Sequence, residues 1–80
     1  MIHISKLNIL TEKKDQKNDL IPFSFKAVTL QGELISGENC ICTSSHYSSR
    51  SRNIKFLDSE EYRRIRNVSF IEFNGIEVII

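Results

Sequence analysis

Apolar and polar residues alternate along most of this chain with a period of two rather than 3.6. Short runs of β-branched and aromatic residues are separated by polar or glycine-containing turns, a pattern typical of β-strands. The pattern predicts strands over 2–10, 20–30, 33–43, 53–57, 61–66, 67–73 and 76–80. Within the third of these strands, a turn or bulge is predicted at 37–39. The segment 61–66 also resembles a short helix start, and we favour a strand because only Tyr62 and Ile65 are apolar there.

Six or seven short strands in 80 residues would leave long apolar edges in an open sheet. We therefore predict one all-β domain over 1–80, a closed or nearly closed small antiparallel barrel. The strand spacing resembles that of SH3-like and Sm-like barrels, with an OB-like barrel as the second choice; such a resemblance of architecture implies no function. Asn74-Gly75 between two apolar runs predicts a C-terminal hairpin with a type I′ turn.

Two polar segments interrupt the strand pattern. Residues 11–19 contain no apolar side chain, so a helix there would have no stripe with which to pack, and we predict an exposed connection. Residues 43–52 are rich in serine and end with two arginines, which predicts a long hairpin loop.

Composition narrows the class of protein. With 26 % charged residues and 40 % hydrophobic ones, the chain is neither collagen-like, coiled-coil nor disordered, and its net charge of +1 is too small to coat nucleic acid by bulk charge. No apolar run approaches the ~18 residues of a membrane span, and no secretory signal pattern begins the chain. We therefore expect a cytoplasmic protein that does not insert into membranes.

Cys40, Cys42 and His46 form the one cluster that resembles a metal site. Zinc prefers four ligands, and the only other histidine is His3, so we predict no metal and no cofactor, although a metal at these residues stays an open alternative. Two reduced thiols lining the core explain the spacing better. We also predict no enzymatic activity, because so small a chain has no second lobe to enclose a reaction.

The basic residues are concentrated in one region. Residues 43–66 hold six cations against three acids, a charge of +3 in a chain of +1. Arginine suits bidentate phosphate recognition, and exposed aromatic rings stack on bases. The candidate nucleic-acid-binding residues are Arg50, Arg52, Lys55, Arg63, Arg64 and Arg66, with Tyr47 and His46 at the loop tip.

The C-terminal hairpin has more apolar residues than one core can bury. Phe70-Ile71 and Ile79-Ile80 place apolar side chains on both faces of their strands, so we predict an interface with a protein partner at these four residues. A homodimer is the simplest such partnership. The function that the sequence favours is thus non-enzymatic binding through protein contacts, and weak nucleic-acid binding through 50–66 is the alternative.

Overall fold

The computed structural model describes residues 1–46 and 50–79, with the backbone alone for Asn8, Ser45 and His46. Three short elements come first: strand β1, a first 3₁₀ turn and helix α1, over Ile2–His3, Ile4–Lys6 and Leu7–Thr11. Strands β2 to β5 follow over Phe23–Val28, Leu34–His46, Ser51–Phe56 and Glu61–Arg66. A second 3₁₀ turn and strands β6 and β7 occupy Asn67–Ser69, Phe70–Phe73 and Ile76–Ile79.

The strands of the described ranges form one seven-stranded sheet in the order β1-β7-β6-β2-β3-β4-β5. Neighbouring strands of this sheet are antiparallel, except for β1 and β7. These two strands are parallel and pair at Ile2–Val78 and His3–Ile79. The prediction of an all-β chain is confirmed, including the strand over 61–66. The sheet is open, however, and its two outer strands are β1 and β5.

The C-terminal hairpin turns at Asn74-Gly75, as the sequence predicts. Asn74 and Gly75 have φ angles of 50° and 80°, the two positive values that a type I′ turn requires. Phe73 pairs with Ile76 across this turn.

The predicted interruption at 37–39 is a β-bulge inside β3. The register shifts there, because Phe25 pairs with Gly37 whereas Phe23 pairs with Cys40. Gly37 lies against the core: a Cβ atom built on it would be 2.5 Å from the Sγ of Cys40 and 2.9 Å from the Cε2 of Phe56. A side chain at this position therefore has no room in the present packing.

Several predicted boundaries are wrong. The first strand ends at His3 instead of residue 10, because Leu7 and Thr11 lie four residues apart on the buried side of a helical turn. Thr11 also donates a hydrogen bond from Oγ1 to the carbonyl oxygen of Leu7 (2.6 Å), so only residues 12–19 form the exposed connection. The loop predicted over 43–52 is shorter, since β3 continues to His46 and β4 begins at Ser51.

The core is centred on aromatic side chains of β2 and β6. Phe25 contacts Phe70 with ring centroids 5.4 Å apart, and Phe23 contacts Phe73 at 4.9 Å. Leu7 of α1 is fully buried in the same cluster, which also includes Ile54 of β4 and Ile65 of β5. The helix thus supports the inner side of the sheet. On the opposite face, Tyr62, Arg64 and Arg66 of β5 are exposed, whereas the outer positions of β4 are buried or half-buried.

Candidate anion-binding face of the sheet

The register of β4 and β5 decides which of their side chains face solvent. Arg52 pairs with Ile65, and Ile54 pairs with Arg63. Because Arg52, Ile54 and Ile65 are buried, these positions belong to the inner face. The alternate positions form the outer face, where the cross-strand pairs are Ser51–Arg66, Asn53–Arg64 and Lys55–Tyr62.

Three cations lie on this outer face. Arg64 and Arg66 are exposed on β5, and Lys55 is half-buried on β4. Arg50 is exposed just before β4 and has a positive φ of 51°, so the alternation of β4 does not assign its side chain to this face; its carbonyl oxygen accepts a hydrogen bond from the Asn67 amide (2.8 Å). We refer to Lys55, Arg64 and Arg66 as the cationic strip.

Acidic residues do not interrupt the strip. None of the residues in 41–44, 51–55 and 62–66 is an aspartate or a glutamate. The nearest acids along the chain lie in and beside the turn between β4 and β5, at Asp58, Glu60 and Glu61. Because like charges add their fields, an uninterrupted row of cations attracts an anionic polymer more strongly than the net charge of the whole protein indicates.

Neutral polar groups and one aromatic ring accompany the strip. The Nε of Arg64 donates to the Oγ of Ser51 (2.9 Å), which orients the guanidinium across β4. Tyr62 is 61 % exposed, and the Nζ of Lys55 lies 5.7 Å from its ring centroid. Sequence reasoning did not select Tyr62; the signal was its place two residues before Arg64, on the same face of a strand.

Two of the six predicted phosphate-binding cations lie on the inner face of the sheet. Arg63 is on the inner side of β5 and forms an exposed ion pair with Glu33, with 3.8 Å between nitrogen and oxygen. Arg52 is only 1 % exposed, so the prediction that it contacts phosphate is wrong.

Arg52 instead joins three elements from inside the protein. Its guanidinium donates from Nε to the Oδ1 of Asn67 (2.9 Å) and from Nη1 to the Oγ1 of Thr11. These contacts connect β4 to the second 3₁₀ turn and to α1. A buried arginine with hydrogen-bonded neighbours fixes the relative positions of those elements.

The predicted loop-tip residues are only partly described. His46 ends β3, and its side chain is outside the described part of the structure, as is Tyr47 altogether. Within the described residues, no three His, Cys, Asp or Glu side chains come together as a metal site would require.

The two cysteines face the core. Cys40 and Cys42 are both buried free thiols. Burial raises the pKa of the Cys40 thiol, as does the negative charge of Asp58, while a hydrogen bond from the Asn39 backbone lowers it by less. The thiol of Cys40 is therefore protonated at neutral pH, which makes it a poor nucleophile.

The predicted protein interface divides in the structure. Phe70 is 3 % exposed and belongs to the core, so its selection as an interface residue is wrong. The cause is the register shift between β2 and β6, which turns both Phe70 and Phe73 inwards and leaves Ile71 exposed. Ile79 is half-buried beside His3 of β1, and Ile80 lies outside the described residues.

Comparison with known proteins adds no relative: no family model, curated protein or solved structure matches the chain. In the described residues, no helix has the length and apolar character of a membrane span.

Proposed function

We propose that the protein is a non-enzymatic binding module that holds the backbone of a nucleic acid along the cationic strip. The observation that carries this proposal is the row of three cations on the outer face of β4 and β5, with no acid in the segments that form it. Contacts to phosphate set the affinity of such proteins, whereas contacts to base edges set their sequence preference. The strip therefore favours binding with little dependence on sequence.

The geometry of β5 suits an extended anionic chain. Arg64 and Arg66 are alternate residues of one strand, so their Cα atoms are about 6.6–7 Å apart and their side chains leave the same face. A guanidinium can donate two parallel hydrogen bonds to one phosphate, which a lysine cannot. Three phosphate contacts on a single-stranded nucleic acid correspond to a slope of about −2.1 in the logarithmic salt dependence of binding, so the affinity would be modest.

We further propose that the sheet is the open form of a small SH3-like barrel. Strands β2 to β6 are arranged in the order β6-β2-β3-β4-β5, and the second 3₁₀ turn leads from one end of this set to the other. That arrangement supports the proposal because β5 and β6, the outer strands of this five-strand set, are joined by a single short turn and so lie towards each other. A cytoplasmic location is part of the same proposal.

Removing the two arginines of β5 should weaken nucleic-acid binding and reduce its salt dependence. For Arg64→Gln/Arg66→Gln, we expect the salt slope on a single-stranded oligonucleotide to fall by about 1.4, because each lost phosphate contact contributes about 0.7. Fluorescence anisotropy with a labelled oligonucleotide at several salt concentrations measures both affinity and slope.

The matched control is Lys13→Gln/Lys17→Gln, which removes the same charge from the exposed connection. This control should change the affinity slightly and leave the slope unaltered. Equal losses in the two double variants would mean that net charge alone drives binding. A wild-type protein that binds neither single strands nor duplexes at low salt would contradict the proposal.

A second candidate function is self-association, and an exposed apolar patch favours it. Val28 pairs with Leu34 across β2 and β3, and both are exposed, as is Ile71 on β6. Beside the patch, Lys26 and Glu72 form an ion pair (3.8 Å). A two-fold axis that passes between Lys26 and Glu72 at the edge of the patch would place each of these charges near its opposite on a second copy, a self-complementary arrangement.

Replacing Ile71 with lysine should dissociate such a dimer. An unpaired charge in the centre of an apolar contact is costly, so sedimentation equilibrium should show a dimer for the wild type and a monomer for Ile71→Lys. Ile9→Lys, at an exposed position of α1, is the control and should remain dimeric. A wild type that stays monomeric at high concentration would exclude self-association.

A further inference from the structure

A half-open groove of about 170 Å³ lies where the sheet fails to close. One wall is the turn between β2 and β3, and the other is the C-terminal half of β5 with the second 3₁₀ turn. Its apolar lining comes from Ala27, Ile35 and Ile65, which are buried residues of the core, and from Leu30, which is exposed. The groove thus exposes a small apolar surface at the edge of the protein.

The other lining groups of the groove are cationic or neutral and polar. Arg64 and Arg66 line it and also belong to the cationic strip, so the two sites are continuous. Gln31 and Ser69 add an amide and a hydroxyl group. No aspartate or glutamate lines the groove in the described part of the chain.

A nucleotide has the same three kinds of surface. Its base has an apolar face and hydrogen-bonding edges, and its phosphate is anionic. We propose that the groove receives one unstacked pyrimidine base of a single-stranded nucleic acid whose phosphates lie on the cationic strip. This inference rests on the proposed function and specifies its ligand as a single strand.

The size of the groove supports one ring and no more. An apolar cavity of roughly 150 Å³ in another protein accepts a single benzene ring, so a groove of about 170 Å³ has room for one six-membered ring. A duplex holds its bases in the stack, and a base reaches such a groove only when it is unpaired. Single strands should therefore bind more tightly than duplexes of the same length.

The test compares two labelled 12-residue probes, oligothymidylate and an oligonucleotide of the same length made of abasic sites. Both carry the phosphates, and only the first carries bases. Because each stacked base adds about 5- to 100-fold to affinity, the wild type should prefer oligothymidylate by at least fivefold in fluorescence anisotropy. Equal affinities for the two probes would overturn the proposal that the groove receives a base, but not the proposal that the cationic strip binds phosphates. If neither probe bound, the proposed function itself would be overturned.

Ser69→Phe places a ring in the groove without changing the charge. We expect it to reduce the preference for oligothymidylate at least fivefold and to leave the affinity for the abasic probe unchanged. Val68→Phe is the matched control, because Val68 is an exposed neighbour in the same turn that does not line the groove. The same preference in both variants, or a stronger one in Ser69→Phe, would overturn the inference.

A second pair of variants keeps the test decisive if Ser69→Phe does not fold. Gln31→Glu adds an acid at the groove, and Gln16→Glu makes the same isosteric change in the exposed connection. The first should weaken the binding of oligothymidylate several-fold more than the second. Equal effects would show that the groove takes no part in binding.

Discussion

Replacing Arg52 with methionine is expected to lower the free energy of unfolding by about 3 kcal/mol, although no ligand is involved. Methionine fills a similar volume but donates no hydrogen bond. The Oδ1 of Asn67 and the Oγ1 of Thr11 would each lose a donor in or near the core. A hydrogen bond with a charged partner contributes about 1.5–3 kcal/mol, so the loss of two such bonds accounts for the expected effect.

Urea unfolding followed by circular dichroism measures this difference. Arg66→Met is the matched control, because the same substitution on the exposed outer face should change the stability by no more than about 0.5 kcal/mol. The double variant Arg52→Met/Thr11→Val should lose less than the sum of the two single variants, since the acceptor has been removed with its donor. Equal midpoints for Arg52→Met and Arg66→Met would show that the buried contacts contribute nothing.

Gly37→Ala is expected to destabilise the fold by about 2–3 kcal/mol through steric overlap alone. The new Cβ would be 2.5 Å from the Sγ of Cys40 and 2.9 Å from the Cε2 of Phe56, closer than Cβ atoms approach other heavy atoms in proteins. Forcing additional atoms into a packed core typically costs 1–3 kcal/mol. The bulge would have to move away from the core to relieve the overlap.

The control for this variant is Gly32→Ala. Gly32 has a φ of 82° with nothing near its Cβ direction, so alanine there should cost only the ~1 kcal/mol of an unfavourable backbone conformation. Adding Cys40→Ala to Gly37→Ala should recover part of the lost stability, because it removes the nearest obstructing atom. A Gly37→Ala protein as stable as Gly32→Ala would contradict the packing described for β3.

Local chemistry explains which parts of the fold the sequence predicts well. Asn74-Gly75 requires only its own two residues to choose a type I′ turn. The segment that becomes β5 similarly has only Tyr62 and Ile65 as apolar residues, too few for the apolar stripe of a helix, which favours a strand. Such features depend on neighbours within a few positions, so they can be recognised in the sequence without knowledge of the tertiary structure.

The burial of Arg52 depends on distant contacts. In the sequence it resembles Arg50, two residues earlier, and both were assigned to phosphate. What separates them is Thr11, which lies 41 positions away and reaches the guanidinium only because α1 packs against the inner side of the sheet. Because the sequence predicts a strand over 2–10, it does not indicate α1. It therefore also gives no sign of Thr11, whose hydrogen bond with the guanidinium compensates for the burial of Arg52.

The candidate binding face was therefore predicted in part. Lys55, Arg64 and Arg66 come together on one face, because alternate strand positions share a side, whereas Arg50 lies just outside β4. Arg63 and Arg52 lie on the other face for the same reason. Phe70 faces inwards because of a register shift between β2 and β6, which the local sequence pattern does not predict. The groove depends on three separate segments and could not be predicted from any one of them.

The parallel pair of β1 and β7 affects how the protein is made on the ribosome. Ile2 finds its partner Val78 only 76 positions later in the chain. At about 5–20 residues per second, β1 waits about 4 to 15 s after its own synthesis for that partner to be made. For most of this interval Leu7, fully buried in the finished protein, lacks the part of its core that Phe70, Phe73 and Val78 supply. The nascent N-terminal segment is thus the stretch for which we expect a holding chaperone to compete, until the last hairpin has been translated.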